Sequence, residues 1–193
     1  MTAAQTTTRY TPEDLLAMPK EAGRFELVDG RLLEKAVSKF SDYVAGQILF
    51  LLQTWCWQTR LGIAVPEAWI QCFPRQEEMV RIPDVLYISH ERRADDSPQI
   101  HGMFRVAPDL AIEVLSPSNV MIDMDVKRED YFAAGVRQVW IVNPDVRTVT
   151  MYHQDGRVTL LHEHDDLIGD DDLLPGFRCK VADFFALPVP KQD

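Results

Sequence analysis

Two carboxylates stand where a carboxylate is expensive. Asp84 follows Ile82-Pro83 and runs into Val85-Leu86-Tyr87-Ile88, and Glu113 sits between Ala111-Ile112 and Val114-Leu115. An isolated charge at the start or in the middle of a buried strand is destabilising unless it is paired or bound to metal. Asp109 lies four residues before Glu113, on the same face of the strand by alternation. If the two strands are neighbours, Asp84 and Glu113 converge on one cation, and oxygen-only ligation favours Mg²⁺ or Mn²⁺ over zinc. A helix follows Glu113, opening with Asp123 and Asp125, and Lys127 lies in its first turn or two. A lysine there opposes the helix dipole, so it has no evident helix-stabilising reason. It could offer positive charge to a phosphate or to an attacking water. Lys127 and Tyr131 are i, i+4 and share a face.

These residues need elements to hold them. Thr11-Pro12-Glu13-Asp14 reads as a helix start, with a hydroxyl cap, proline in the first turn and acids at the positive dipole end; that helix stops by Pro19. Asp29-Gly30, between apolar segments 24–28 and 31–34, signals a hairpin. Residues from about Phe40 to Arg60 form the longest helical stretch, with Val44, Ile48, Leu51, Leu52 and Trp55 recurring at helical spacing and Gly62 as a stop. Ile48–Leu52 is apolar on every side, which predicts that much of this helix is buried. Strands are expected over 63–73 and 81–88, and a long polar loop over 90–107, where function often resides. Strand 109–115 precedes a helix over about 122–134 that Gly135 closes, then strand 138–142 and a second hairpin around Asp155-Gly156. An acidic loop, 165–172, and a short apolar segment ending at Phe185 complete the chain. The pattern predicts an α/β (α+β) domain with a mixed or largely antiparallel sheet. Residues 1–9 and 188–193 are expected to be tails around one domain, 10–187.

Composition narrows the class. The 193 residues are 46% hydrophobic and 26% charged, values that permit a sizeable core. The longest unbroken apolar run is 48–52, far short of a membrane span, and no secretory signal is visible. Three cysteines without close spacing argue against a disulfide framework or a Cys-rich zinc site and fit a cytoplasmic protein. The net charge of −10 counts against a broad DNA-binding surface. It leaves room for a small metal-dependent nuclease site, where carboxylates gather and the ion reverses the local charge.

The stretch Glu26-Leu27-Val28-Asp29-Gly30, Pro83-Asp84, PDLAIEVLSPS over 108–118, Lys127, Tyr131, Gly135-Val136 and QVWIVNP over 138–144 resembles the Uma-two family of bacterial proteins. That family is described as restriction-endonuclease-like, of the PD-(D/E)xK nuclease superfamily, and the resemblance runs from about Tyr10 to Phe185. It implies a mixed sheet flanked by helices and an Mg²⁺-dependent endonuclease cutting phosphodiester bonds in DNA. By the resemblance Asp84 and Glu113 hold the metal and, with Lys127, form the catalytic set. Asp109, Glu26 and Tyr131 are possible supports around it. The superfamily's lysine position is filled by Leu115, and Lys127 on the next helix takes its place. Ser41 stands where many members carry a histidine near the start of the long helix.

Other readings stand beside these. Lys127 either faces the site or pairs with Glu129 or Asp130 on the surface. Glu26 either serves the hairpin or reaches the site, and Asp109 either supports the site or closes a turn. His162 and His164 read as a solvated edge, and Trp55 and Trp57 as core or interface aromatics. The main competing function is a nuclease fold without catalysis that serves binding or regulation. A homodimer is expected, because superfamily nucleases often need two sites and the apolar face over 48–57 is broad.

Overall fold

Local chemistry sets the first elements. The structure, a computed structural model, describes residues 8–19, 22–35, 38–74, 76–93, 102–117 and 121–188. Helix α1, Pro12–Ala17, is held by a capping box: Thr11 Oγ accepts from the Asp14 amide, and the Asp14 carboxylate accepts from the Thr11 amide. Strands β1 (Phe25–Val28) and β2 (Arg31–Glu34) pair antiparallel across Asp29 and Gly30. Both turn residues have positive φ, 51° and 75°, as a two-residue hairpin demands.

Helix α2, Lys39–Thr59, starts at a second capping box, in which Ser38 and Ser41 each bond the other's amide. Its stop differs from the expected one. Arg60 itself takes the left-handed position, at φ 58°, and Gly62 opens strand β3, Gly62–Pro66. A Cβ on Gly62 would lie 2.4 Å from the Ile88 carbonyl, so glycine is needed there for close strand approach. The burial expected over 48–52 holds for only part of that run. Ile48 and Leu52 are fully buried, and burying each contributes about 1.5–3 kcal/mol. Phe50 is 64% exposed and Trp57 84%.

Strand β4 (Val85–Ser89) leads into the short helix α3 (His90–Arg93), followed by strand β5 (Leu110–Val114). The expected strand over 63–73 is shorter, because Pro66 ends the pairing and Glu67 turns with φ 46°. Ile70 then makes only single bridges, to Arg81 and Phe104. Part of the predicted loop, 94–101, lies outside the described residues, as do most of the expected tails. Helix α4 (Met121–Ala134) crosses from β5 to strand β6 (Gln138–Asn143), and strands β7 (Thr148–His153) and β8 (Val158–His162) form the second hairpin. The acidic stretch contains strand β9 (Asp166–Ile168), which pairs with strand β10 (Arg178–Lys180) ahead of helix α5 (Ala182–Phe185).

The main sheet has the order β3-β4-β5-β6-β7-β8. Only β5 and β6 run parallel, as the helical crossover α4 requires. On one face Ile48, Leu52 and Trp55 of α2 pack on Val85, Tyr87, Ile112 and Trp140, with Phe184 of α5. On the other face Tyr131 of α4 and Val136 pack on Leu86, Ile88, Ala111 and Ile141. This is a mixed sheet flanked by helices, with hairpins toward both ends of the chain. Among the described residues no helix is long and apolar enough to cross a membrane.

Candidate active site

Asp84 lies one residue before β4, and its amide donates to the Ile112 carbonyl at 3.0 Å. Its Oδ2 accepts from the Val114 amide at 2.6 Å. The carboxylate is therefore fixed against the backbone of the residue that follows Glu113. The condition set for that convergence, neighbouring strands, is met, since β4 and β5 pair antiparallel.

Glu113 shares a sheet face with Ala111 and points to the α4 side. Its Oε1 accepts from the Tyr131 hydroxyl at 2.6 Å, and Lys127 Nζ stands 3.4 Å from the same oxygen. Lys127 and Tyr131, one turn apart on α4, thus reach one carboxylate. Lys127 is buried and does not pair with Glu129 or Asp130 on the surface. Its second partner is Glu26 of β1, 2.9 Å from Nζ. Glu26 Oε1 also accepts from the Ile82 amide at 3.0 Å, and its Oε2 accepts from Arg81 Nη1 at 2.9 Å. Arg81 donates onward to Asp130 of α4, and Lys35, just after β2, lies 2.7 Å from Asp84 Oδ1.

Glu113, Lys127, Tyr131 and Glu26 therefore form one bonded group, and Asp84, held by the Val114 amide and Lys35, adjoins it closely enough for its charge to act on Glu113. Asp109 does not join it. At the opposite end of β5, Asp109 Oδ2 accepts from the Ser89 amide at 2.7 Å, and Arg92 Nε lies 3.3 Å from its other oxygen. Sequence reasoning missed Lys35, Arg81 and Asp130. The signal for Arg81 was present: it is a charge between Val80 and Ile82, the same pattern that exposed Glu113.

Electrostatics divides the two buried acids. Burial works to raise the Glu26 carboxyl, but Lys127, Arg81 and the Ile82 amide outweigh it and hold the group below its usual range. Burial lifts the Glu113 carboxyl above its usual range despite Lys127 and Lys35, and Asp84 and Glu26 push the same way. Burial disfavours charge on Lys127, yet Glu113 and Glu26 keep its pKa above the ordinary lysine value, so it is an ammonium at neutral pH. Burial and Glu113 together hold the Tyr131 phenol protonated, as a donor.

The raised Glu113 carboxyl has a signed consequence. Folding favours its protonated form, so its contribution to stability is greatest below the unfolded pKa and is lost as pH rises through the folded one. Glu113→Gln removes that loss and keeps an acceptor for Tyr131. Relative to wild type, the variant is expected to gain stability on going from about pH 5 to about pH 8 in urea unfolding. A constant difference across that range would contradict the raised pKa.

The donor set suits a hard cation. Asp84 and Glu113 supply carboxylate oxygens only, as Mg²⁺ and Mn²⁺ prefer. Among the described residues no three His, Cys, Asp or Glu side chains form a ready cage. Mg²⁺ commonly binds through one or two carboxylates, with water and substrate phosphate completing its shell. A cleft of about 180 Å³, lined by Arg24, Asp42, Gly46, Glu67 and Asp84 among others, reaches Asp84 from outside, while Glu113 lies buried behind it.

The sequence matches the model of the Uma2 family, described as "Putative restriction endonuclease", over residues 12–182. No curated protein matches it. Among solved structures it is similar to one from Anabaena variabilis, titled a "putative nuclease belonging to DUF820". The two share 20% identity and a TM-score of 0.76, over 91% of this chain and 97% of that one. At that identity the likeness establishes a common fold.

Proposed function

The chain belongs to the Uma2 family, and from that membership we propose that it is a divalent-cation-dependent endonuclease hydrolysing phosphodiester bonds in DNA. The observation that carries the proposal is the seating of Asp84 beside Glu113, with the Lys127 ammonium on Glu113. Asp84 and Glu113 would hold Mg²⁺ or Mn²⁺, which when bound supplies Lewis acidity toward the scissile phosphate and lowers the pKa of a water.

The remaining steps fall to the chain's own side chains. The Val114 amide fixes Asp84 Oδ2, and the Tyr131 hydroxyl fixes Glu113 Oε1. Lys127 keeps its proton at neutral pH and offers N–H donors to the attacking water or to a phosphate oxygen gaining charge. Glu26 holds the Lys127 amine as its nearer carboxylate partner, and Arg81 in turn holds Glu26. Substrate reaches Asp84 through the cleft between α2 and the end of β3. The active species is a homodimer, a reading supported by the exposed Phe50 and Trp57, seven residues apart on α2.

Plasmid and single-stranded DNA are to be incubated with the protein and Mg²⁺ or Mn²⁺. Cleavage that appears with either ion and vanishes on chelation is the expected result, and chelator-resistant cleavage would reject the mechanism. A second reading, a nuclease fold that binds without cutting, is favoured by one observation: Lys35, Arg81 and Lys127 already neutralise most of the cluster's acids. Complete absence of cleavage with intact DNA binding would select it.

A further inference from the structure

Lys35 has no role in the catalytic reading above, yet its side chain is only 5% exposed. Its amide donates to the Arg24 carbonyl at 2.8 Å, which anchors the residue to the opposite strand of the hairpin. Its Nζ contacts Asp84 Oδ1 and the Ile82 carbonyl, both at 2.7 Å. These are two hard oxygen donors of the kind a divalent cation takes. The other Asp84 oxygen is already engaged by the Val114 amide. A compact ammonium thus occupies the free edge of the very carboxylate assigned to metal.

Charge favours exchange over addition. With every carboxyl ionised, Glu26, Asp84, Glu113 and Asp130 bring four negative charges against three positive ones from Lys35, Arg81 and Lys127, and a protonated Glu113 only enlarges the positive excess that an added ion would leave. A divalent ion added to this set leaves an excess of one positive charge in a largely buried site. The same ion replacing the Lys35 ammonium leaves the set neutral. The cleft beside Asp84 gives a displaced amine somewhere to go, and Asp42 on its wall offers a new counter-charge, while Glu67 there is already paired with Arg24.

We infer that Lys35 is the resident counter-ion of the Asp84 carboxylate, holding the site in its metal-free form and yielding its place to the divalent cation, so that it sets the site's metal affinity. The inference rests on the reading of Asp84 as a metal ligand. Lys35 is a positioning residue here: it need not touch substrate.

The test is calorimetric titration of the full chain with Mn²⁺ alone, in wild type, Lys35→Gln and Lys35→Arg. Lys35→Gln keeps amide donors for Asp84 and the Ile82 carbonyl but removes the charge. It is expected to bind Mn²⁺ at least about tenfold more tightly than wild type, and Lys35→Arg, which keeps the charge, no more tightly. A second readout needs no variant. Acetylation of Lys35 in wild type, followed by mass spectrometry, should be slow without cation and fast at Mn²⁺ saturation. If wild type binds Mn²⁺ but Lys35→Gln binds it no better, or Lys35 stays protected at saturation, the counter-ion role is overturned and the metal site stands. If neither wild type nor variant binds, both the inference and the metal reading fall.

Discussion

Asp84→Asn lowers the rate of DNA cleavage by about a thousandfold or more, and Glu113→Gln does the same. Both replacements keep the shape of the side chain and an oxygen acceptor. An asparagine in place of Asp84 retains an acceptor for the Val114 amide, and a glutamine in place of Glu113 retains one for the Tyr131 hydroxyl. What each removes is one negative charge from the edge of a cation site. Lewis-acid stabilisation of a phosphoryl oxygen is worth several kcal/mol, and about 4 kcal/mol corresponds to a thousandfold in rate. Asp109→Asn provides the control. It alters a carboxylate as deeply buried as Glu113, just before the same strand, but one bonded to Ser89 and Arg92 instead of the cluster. Its rate should stay within about threefold of wild type, a change below 1 kcal/mol. Rates are to be measured on protein whose cooperative unfolding is intact. Wild-type cleavage by either Asp84→Asn or Glu113→Gln would remove that residue from the mechanism.

The contrast between Glu113 and Asp109 also marks how far the sequence could be read. A carboxylate inside DLAIEVL is improbable without a partner, so Glu113 declared itself. Alternation placed Asp109 on the same face, but a strand advances about 3.3 Å per residue, so four residues separate the two by about 13 Å. Periodicity fixes a face and says nothing of which end of the strand holds the site. The helix over 121–134 was legible from its pattern, whereas the orientation of Lys127 depended on Glu26, from a hairpin 101 residues earlier in the chain. Contacts of that separation leave no local trace. Lys35 was invisible for the same reason, since a lysine after a hairpin is ordinarily solvated. The end of α2 failed differently: Gly62 carries a stop signal in its type, but the close approach of the Ile88 carbonyl claims it for β3 and leaves Arg60 to make the left-handed turn.

Arg81→Met tests whether the first hairpin is part of the site or merely packed against it. Arg81 is 4% exposed and bonds Glu26 of β1 and Asp130 of α4. Methionine matches much of its volume but leaves both carboxylates short of a partner. Breaking a buried ion pair from one side destabilises by about 3–5 kcal/mol, because the charge left behind stays desolvated. For a chain of this size each kcal/mol moves Tm by about 2–4 °C, so a fall of about 10 °C is expected. Arg128 supplies the comparison: its partners Asp125 and Glu129 are 55% and 70% exposed and its guanidinium lies 4.6 Å from the centre of the Tyr152 ring, so Arg128→Ala should lose no more than about 2 kcal/mol. Adding Glu26→Gln to Arg81→Met removes one of the two charges left short of a partner and should recover part of the loss, an interaction that a double-mutant cycle reads directly. The same variant bears on chemistry. Arg81 helps hold Glu26 ionised, and without it the Glu26 carboxylate leans on Lys127 as its remaining cation, at the expense of the longer Lys127–Glu113 contact of 3.4 Å. Arg81→Met should therefore also slow cleavage at temperatures where it is fully folded. A variant as stable as wild type would mean that the Glu26–Arg81–Asp130 chain contributes nothing to holding hairpin and helix together.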